Sequence, residues 1–546
     1  LTEGQMHQMV HQEIEYNSGL ISGKVIPKNI IDFSSSATIP WTALEAYYPM
    51  TEIVNSRILD YSFNNRNASL HNITSTQPQT APMPYQTTAD GNLLTPGTWV
   101  SGDVWDITDN PETNPWSIIK VSHNVTTANN IYSKGLIIDS EKTLTVTGDK
   151  EIRNDLYLEL NGTLDLQDDS QLIQTETSDL VTSADGKVLR RQEGNANFYR
   201  YNYWSSPVGT QSATTLTNNN GPANNTNNTS FSLNMLKDAS GTKIQFTGAL
   251  EEPGKISTQW LYNFQNGVTY YDWTALNETS AIQSGFGYTQ KGINGTEGEQ
   301  QYIFEGKPNN GTILIAADDV DGDGANESEE GLTLTTTLIG NPYPSAIDAI
   351  QFINDNKPGT GNGTISGTIL LWEQWAGSSH YLAEYEGGYG YINALSTERA
   401  YQYPDIAIVD QVQTQGIKVP TFQIPVGQGF FVEVINDGNI EFNNAQRVFA
   451  KESDADGSST NGSAFFRSSN TGTSNGNGNN NEESAAAVTQ ILRLEFGVSN
   501  GASRSFVLGF TEDATDGYDY GLDGGVINNP PADDMGSLLN GEQYVI

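Results

Sequence analysis

The sequence predicts a mainly β, multi-domain protein: a short parallel β-helix (solenoid), then two duplicated β-sandwich-like modules, then an incomplete C-terminal β domain. Three observations lead to this prediction. Only 17% of the 546 residues are charged while 54 are Gly, a composition that favours short strands and turns over helices. A short repeat with alternating apolar residues follows the N-terminal region, and a longer repeat fills the centre of the chain.

The short repeat predicts the solenoid. Segments 133–148 and 154–169 superpose at an offset of 20 residues, and their apolar residues alternate, so they point to one face of a strand. The coinciding residues are Leu136 with Leu156, Ile138 with Leu158, Leu144 with Leu164, and Val146 with Leu166. This period is typical of a parallel β-helix, and the flanking segments could add rungs. Two successive hairpins of a sandwich are the alternative.

The long repeat predicts the two modules. Its first copy contains YNYWSSPVG (201–209), SGFGYTQKG (284–292) and YIFEG (302–306), and its second contains LIGNPYPSAID (338–348), VGQGFFVEV (426–434) and IEFNN (440–444). Gly285 and Gly427 are 142 residues apart, and Phe304 and Phe442 are 138 apart. A Gly-x-Gly before alternating apolar residues indicates a bulge or a tight crossing that leads into a strand.

These patterns divide the chain as follows: 1–98, an N-terminal region; 99–195, the β-solenoid; 196–318, the first β module; 319–331, a calcium-loop seam; 332–450, the second β module; 451–489, a low-complexity linker; and 490–546, the incomplete β domain. In the N-terminal region, AYYPM (46–50) and ILDYSFNNRNASLHN (58–72) resemble the start of laminin-G-like jelly rolls. A short amphipathic helix is expected at 345–356.

The stretch DVDGDGANESEE (319–330) matches the pattern of a 12-residue calcium loop. The candidate ligands are the side chains of Asp319, Asp321, Asp323, Glu327 and Glu330 and the carbonyl of Ala325. Alternate carboxylates in a turn converge on one point, and Gly324 allows the sharp bend. Both flanking segments resemble strands, so the pattern indicates an isolated calcium loop of an extracellular β-protein, with a merely polar turn as the alternative. The acidic turns at 453–457 and 513–523 lack a closing Glu.

Composition excludes several classes of function. With 26 basic against 65 acidic residues the net charge is −39, which repels nucleic acid and anionic membranes. The absence of Cys excludes disulfides, zinc–thiolate sites and a Cys nucleophile. No apolar run is long enough for a transmembrane helix, so membrane insertion is not expected. The opening LTEGQMHQMV contains no signal peptide, so we expect a processed chain or a piece of a longer one.

Catalytic motifs are not found. The sequence has no Gly-x-Ser-x-Gly elbow, P-loop or dinucleotide fingerprint, so no catalytic residue is predicted. Two aromatic clusters, Trp260–Trp273 and Trp372–Tyr391, fit either a packed core or a platform on which sugars stack. A pair of carboxyl groups across a cleft between them would favour a glycan-active protein, whereas dry, packed Trp residues would count against it.

Four motifs carry a family resemblance: YNYWSSPVG, LIGNPYPSAIDA, IPVGQGFFVEV and SFVLGFTEDATDGYDYGLDGG. Together, and in this order, they resemble the large cell-surface proteins of gliding Bacteroidota that the type IX secretion system exports. The resemblance implies a surface location, in some members an adhesin linked to gliding. It also implies a C-terminal sorting domain, recognised by the translocon and its shuttle proteins, which would lie beyond the residues given.

We therefore expect a non-enzymatic, calcium-stabilised structural or adhesin-like protein that is exported by the type IX system. Ca²⁺ is the expected cofactor. The expected partners are the secretion translocon and its shuttle proteins, and a surface glycan or another cell-surface protein. A polysaccharide-binding or polysaccharide-degrading secreted protein is the alternative.

Overall fold

A computed structural model gives the fold of residues 1–546 except 33, 51–53, 73–80, 103–106, 109–114, 223–224, 226, 321–333, 402–415, 467–489, 498–502, 526–534 and 540–541. Strands account for 41% and helices for 9%, which confirms a mainly β protein. The predicted β-solenoid is also confirmed, with about three turns.

The N-terminal region begins with helix α1 (Glu3–Met9), capped by the Thr2 side chain. Its strands are β1 (Ile14–Asn17), β2 (Leu20–Gly23), β3 (Arg57–Ile58), β4 (Ala68–Ser69), β5 (Tyr85–Gln86) and β6 (Gly91–Asn92). The region covers one side of the solenoid, where Ile26 packs against Ile118 and Ile137. Lys28 reaches the buried Asp179 of the solenoid at 2.6 Å, so an ion pair accompanies this apolar contact.

The solenoid winds through two parallel sheets. Its strands are β7 (Ile118–Val121), β8 (Val125–Thr127), β9 (Ile131–Ile138), β10 (Thr143–Val146), β11 (Glu151–Leu160), β12 (Thr163–Leu166), β13 (Gln171–Gln174), β14 (Asp179–Thr182) and β15 (Lys187–Asn195). One sheet contains β6, β8, β10, β12 and β15, and the other contains β5, β7, β9, β11 and β13 in that order. Leucine, isoleucine and valine side chains from both sheets fill the interior.

The offset of 20 residues holds between β10 and β12 in one sheet and between β11 and β13 in the other, but not between β9 and β11. Strand β10 pairs with β12 at this offset, so Leu144 lies opposite Leu164 as predicted. Between β9 and β11, however, Leu136 lies opposite Leu158, an offset of 22. The offset is already 21 at Ile131 and Ile152, and a register shift between Asn154 and Tyr157 adds one more residue. Such a bulge leaves the apolar alternation almost unchanged, so the sequence pattern does not show it.

The first copy of the long repeat contains β16 (Tyr201–Trp204), β17 (Val208–Gly209), β18 (Lys237–Asp238), β19 (Gln245–Thr247), β20 (Lys255–Ser257), β21 (Tyr262–Asn263), β22 (Thr274–Ala275), β23 (Tyr288–Lys291) and β24 (Glu299–Pro308). The second contains β25 (Ile313–Ala317), β26 (Thr336–Gly340), β27 (Ala346–Asp348), helix α2 (Ala349–Asn356), β28 (Ile365–Ala376), β29 (Glu386–Ile392), β30 (Thr397–Glu398), β31 (Gln423–Ile424), β32 (Gly429–Val434), β33 (Gly438–Phe442) and β34 (Arg447–Val448).

Helix α2 lies within the range expected from the sequence but begins later. Ala346 and Ile347 belong to β27, and the carboxylate of Asp348 then accepts the backbone N–H of Ile350 at 2.8 Å. This N-cap explains the start of the helix. Its buried Phe352 packs against the sheet of the second copy.

Both copies have the same strand order. The first has β16-β23-β21-β22, and the second has β26-β32-β28-β29. In addition, the strand just before the first motif of each copy pairs with the strand that contains its last motif: β15 with β24, and β25 with β33. The structural repeat therefore begins with β15 in the first copy and with β25 in the second, one strand before the first sequence motif of each copy. The loop between β25 and β26, which contains the calcium pattern, joins two strands of the second copy.

The two copies cross each other reciprocally at their Gly-x-Gly turns. Ser205, just after β16, donates its backbone N–H to the carbonyl of Gly427 at 2.7 Å. The equivalent Gly340, at the end of β26, donates to Gly285 at 3.0 Å. Gly285 and Gly427 both have positive φ, a conformation that favours glycine. The backbone of each copy thus completes the turn of the other.

The segment after the second copy returns to the first copy. Phe465 is buried against Trp204, with ring centroids 4.8 Å apart, and Phe466 joins the core of the second copy. Residues 451–466 are the first part of the segment that the sequence predicts as a linker. Phe465 and Phe466 anchor this part to the two copies. We call residues 451–466 the strap.

The last strands are β35 (Gln490–Gly497), β36 (Ser503–Phe510), β37 (Ser537–Leu539) and β38 (Glu542–Tyr544), in two hairpins. Their buried Val507, Val545 and Ile546 pack onto the aromatic face of the second copy, which includes Trp372 and Phe431. The C-terminal residues thus extend the core of the second copy.

The crossing generates a stability prediction. A Cβ atom on Gly429 would lie 2.7 Å from the backbone nitrogen of Trp204 and 2.8 Å from the carbonyl carbon of Tyr203. Backbone atoms cannot move aside cheaply, so Gly429→Ala should destabilise the protein by about 1–3 kcal/mol, the usual cost of overpacking. Thermal unfolding monitored by circular dichroism measures this change.

The matched control is Gly248→Ala, because a Cβ atom at Gly248 meets nothing within 4 Å and its φ is not positive. This substitution should leave the melting temperature nearly unchanged. Equal melting temperatures for the two variants would contradict the close crossing.

Candidate functional site

Of the predicted calcium ligands, only Asp319 lies among the described residues. Asp321, Asp323, Ala325, Glu327 and Glu330 lie outside them. The N–H of Asp319 donates to the Oδ1 of Asp437 at 2.9 Å, and the Thr335 hydroxyl contacts the Oδ1 of Asp319 at 3.4 Å. Asp437, which the sequence pattern did not include, adds a second carboxylate at the base of the loop. These oxygen ligands are of the type that Ca²⁺ prefers.

The two weaker acidic turns use their carboxylates to stabilise their own backbone. Asp456 accepts the N–H of Ser458 at 2.9 Å, and Asp519 accepts the N–H of Thr515 at 2.6 Å. Among the described residues, no group of three or more His, Asp or Glu side chains is arranged to hold a metal ion.

The aromatic clusters are largely packed. Trp372 and Trp375, on β28, are only 8% and 7% exposed, and Trp372 stacks with Tyr203 of the first copy at 6.2 Å. Trp260 and Trp273 are half-buried. The core interpretation therefore describes the two Trp residues of the second cluster, whereas Tyr381 of that cluster is exposed and the first cluster reaches the surface.

The surface-reaching cluster encloses a buried lysine. The Nζ of Lys291 lies 4.6 Å from the ring centroid of Tyr201, 4.1 Å from that of Trp260 and 4.7 Å from that of Tyr385. It donates to the Tyr385 hydroxyl at 2.8 Å and lies 3.2 Å from Nδ1 of His380. Three aromatic rings and two polar atoms thus surround one amine. We call these five residues the lysine cage.

Both copies of the repeat build the lysine cage. Lys291 ends β23 and Tyr201 begins β16, so the first copy supplies these two, whereas His380 and Tyr385 lie between β28 and β29 of the second copy. Next to this segment, the side chain of Gln374 in β28 binds the backbone of the first copy. Tyr201 donates its N–H to Gln374 Oε1 at 3.1 Å, and Gln374 donates to the carbonyl of Tyr199 at 2.8 Å.

Burial controls the electrostatics of the lysine cage. Desolvation, assisted by the nearby positive charge of Arg200, lowers the pKa of Lys291 from 10.5 to about 7. Burial, with a smaller effect of Lys291, also lowers the pKa of His380, although Glu251 acts in the opposite direction. Burial raises the pKa of Tyr385, so its hydroxyl stays neutral. The amine therefore changes its protonation close to neutral pH.

The lysine cage reaches solvent through His380. This imidazole stacks on Trp260 at 4.6 Å, and its Nε2 lies 3.9 Å from a carboxylate oxygen of the exposed Glu251. Exposed tyrosines occur in the same part of the sequence: Tyr270 and Tyr271 follow Trp260 and are 63% and 91% exposed.

Chemically, the lysine cage can join the two copies and respond to protonation. Aromatic faces attract the charged amine, whereas burial favours the neutral amine, so the two effects oppose each other. Sequence reasoning identified Trp260 but not Lys291, because the contact joins residues far apart in the chain. In the sequence, Lys291 is simply a lysine at the end of an alternating strand, and that pattern normally indicates a surface residue.

The lowered pKa predicts a pH dependence of stability. The unfolded chain binds more protons than the folded protein between the folded pKa of about 7 and the ordinary value of 10.5. The contribution of Lys291 to the free energy of unfolding therefore rises with pH across this window, by at most about 1.4 kcal/mol per pH unit, and is constant below it. Relative to Lys291→Met, the wild-type melting temperature should rise from pH 7 to pH 10.

Lys243→Met, which removes an exposed lysine, controls for the loss of one positive charge. Melting temperatures of wild type and Lys291→Met that change in parallel over this pH range would contradict the lowered pKa.

The comparison with known proteins identifies a family. The family described as "Domain of unknown function (DUF8693)" matches residues 92–546, from the first coil of the solenoid through both copies to the C-terminal hairpins. No curated protein and no solved structure matches the chain. Within the described residues, no helix has the length and apolar character needed to cross a membrane. Because the match covers most of its length, the chain belongs to the DUF8693 family.

Proposed function

We propose that this chain is an exported, calcium-stabilised structural protein of the adhesin type, displayed on the cell surface by the type IX secretion system. The observation that carries this proposal is the interlocking of the solenoid and both copies into one body without disulfides. A rod-like solenoid joined rigidly to β modules suits display and mechanical load better than turnover of a substrate.

Contacts between the solenoid and the second copy support this rigidity. Leu172 donates its N–H to the carbonyl of Pro344 at 2.9 Å, and Gln171 donates to the carbonyl of Ala450 at 2.7 Å. The fully buried Arg447 donates to the carbonyl of Leu172 at 2.6 Å. Buried groups that are hydrogen-bonded in this way resist separation, because each would otherwise be left unpaired in the core.

A calcium ion at 319–330 would stabilise the second copy. Its loop joins β25 and β26, which pair with the neighbouring strands β33 and β32. Metal bound there would hold these two strand pairs together and neutralise the carboxylates of Asp319 and Asp437 at the base of the loop. Because both flanking strands belong to one copy, the metal would stabilise that copy and would not set the angle between the two copies.

Export and attachment would involve separate partners. A C-terminal sorting domain, beyond the residues given, would engage the translocon and its shuttle proteins. A surface glycan or another cell-surface protein would be the attachment partner, and the exposed Tyr270, Tyr271 and Tyr381 offer aromatic surface for it. Nucleic acid is not an expected partner, because the net charge is −39.

Calcium removal tests the stabilising role. Chelation with EDTA should lower the melting temperature, because bound ligand stabilises only the folded state. Asp321→Ala should lower it similarly and make it insensitive to EDTA. Differential scanning calorimetry with and without added Ca²⁺ measures both effects.

Asp318→Ala is the matched control, because Asp318 is an exposed acid immediately before the loop pattern and at no ligand position. It should retain the response to EDTA. A wild-type melting curve that chelation does not change would contradict the calcium site.

Surface display has its own test. The full-length gene product, expressed in a gliding Bacteroidota host, should be digested by protease added to intact cells. In an otherwise identical strain without a functional type IX translocon, it should be protected. A periplasmic protein that stays protected in both strains controls for leakage. Equal digestion in the two strains would contradict export by this system.

A further inference from the structure

The duplication allows the two cores to be compared at equivalent positions. Strand pairing defines the equivalence: Trp204 lies opposite Tyr288 in the first copy, as Ile339 lies opposite Phe430 in the second. The equivalent pairs, first copy then second, are Trp204 and Ile339, Tyr288 and Phe430, Gln290 and Val432, and Tyr302 and Ile440. At each position the second copy has an apolar side chain, and the first copy has a side chain with a group able to form hydrogen bonds.

These first-copy groups are buried, and their hydrogen bonding is incomplete. Trp204, Tyr288, Gln290 and Tyr302 are each at most 1% exposed. Within the described part of the chain, the indole nitrogen of Trp204 and the hydroxyl of Tyr288 have no hydrogen-bond partner, whereas the Gln290 amide and the Tyr302 hydroxyl form only a weak hydrogen bond with each other. Burying such groups without full hydrogen bonding costs free energy, so their grouping at matched positions indicates a polar ligand.

The groups lie close to one another. The rings of Trp204 and Tyr302 are 5.5 Å apart, nearly perpendicular. Burial is the main cause of the raised pKa values of Tyr302 and Tyr288. A side-chain hydrogen bond from Gln290 lowers the pKa of Tyr302, and the nearby Tyr302 raises that of Tyr288, so the three side chains are neighbours. These four side chains therefore lie close together between β16, β23 and β24.

The neighbouring strand adds two further polar residues. Gln192 and Arg190 of β15 lie opposite Tyr302 and Phe304. The equivalent residues of β25 are Ile315 and Ile313, opposite Ile440 and Phe442. The buried Arg190 donates to the carbonyl of Asp168 at 3.1 Å and lies 3.9 Å from the carboxylate of Asp169, so its charge is compensated.

The strap forms one wall of this region. The ring of Phe465 packs on Trp204, and Gln192 donates to the carboxylate of Glu452. With both ends of the strap in contact, the region is closed to large molecules. An occupant must be small, uncharged and able to accept hydrogen bonds, because most of the unpaired atoms are donors.

We infer that the first copy encloses a polar chamber, lined by Trp204, Tyr288, Gln290 and Tyr302, that binds ordered water molecules. Each of these groups gains a hydrogen-bond partner from bound water, as buried water commonly supplies. The second copy keeps an apolar, close-packed core at the equivalent positions.

Tyr288→Phe tests the polar chamber. If water occupies it, this substitution removes a hydrogen bond and lowers the melting temperature. Tyr343→Phe calibrates the loss, because the equally buried Tyr343 donates to the carbonyl of Gly311 at 2.7 Å. The two variants should lose a similar number of degrees. A dry chamber gives the opposite sign for Tyr288→Phe, since removing an unpaired buried hydroxyl raises the melting temperature.

A crystal structure of the wild-type chain at high resolution is the second test. Electron density for water within hydrogen-bond distance of the Tyr288 hydroxyl supports the inference, and Tyr288→Phe should lose or displace it. Tightly packed side chains with no density between them would overturn it. A melting temperature of Tyr288→Phe at or above that of wild type would overturn it independently.

Discussion

The reciprocal crossing of the two copies is the constraint on which the rest of the structure depends. Each Gly-x-Gly turn accepts a backbone hydrogen bond from the other copy, Ser205 to Gly427 and Gly340 to Gly285. The second glycine of each turn then lies against the first strand of the opposite copy, where no side chain fits. Each turn therefore depends on the other copy for one of its backbone hydrogen bonds.

The crossing explains the position of the lysine cage. It brings the segment between β28 and β29 against the edge of the first copy, where His380 and Tyr385 meet Lys291. A buried amine opposes this contact through desolvation, whereas the aromatic faces and hydrogen bonds favour it. The crossing holds the two copies together. The lowered pKa of Lys291 predicts that the contribution of the lysine cage to stability changes with pH.

The sequence allowed prediction of the features that depend on local periodicity. Alternating apolar residues located the solenoid, and two Gly-x-Gly motifs located the duplication. The bulge between Asn154 and Tyr157 escaped prediction because a bulge changes register with little change in pattern. The lysine cage, and the role of Asp437 beside Asp319, join residues about 90 to 120 positions apart, so no local pattern records them. The other calcium-loop ligands remain a sequence prediction.

The two copies differ in polarity at equivalent buried positions. Both have the same strand order, and at these positions the second copy carries apolar side chains that belong to its core from Ile313 to Phe442. The first copy carries polar groups at equivalent buried positions, and the amine of the lysine cage comes from its strand β23. Polar cores cost stability unless every group is satisfied, so they persist where they serve a purpose. The first copy pairs with the solenoid through β15 and β24 and crosses the second copy at the Gly-x-Gly turns, so neighbouring elements hold its polar side chains in place.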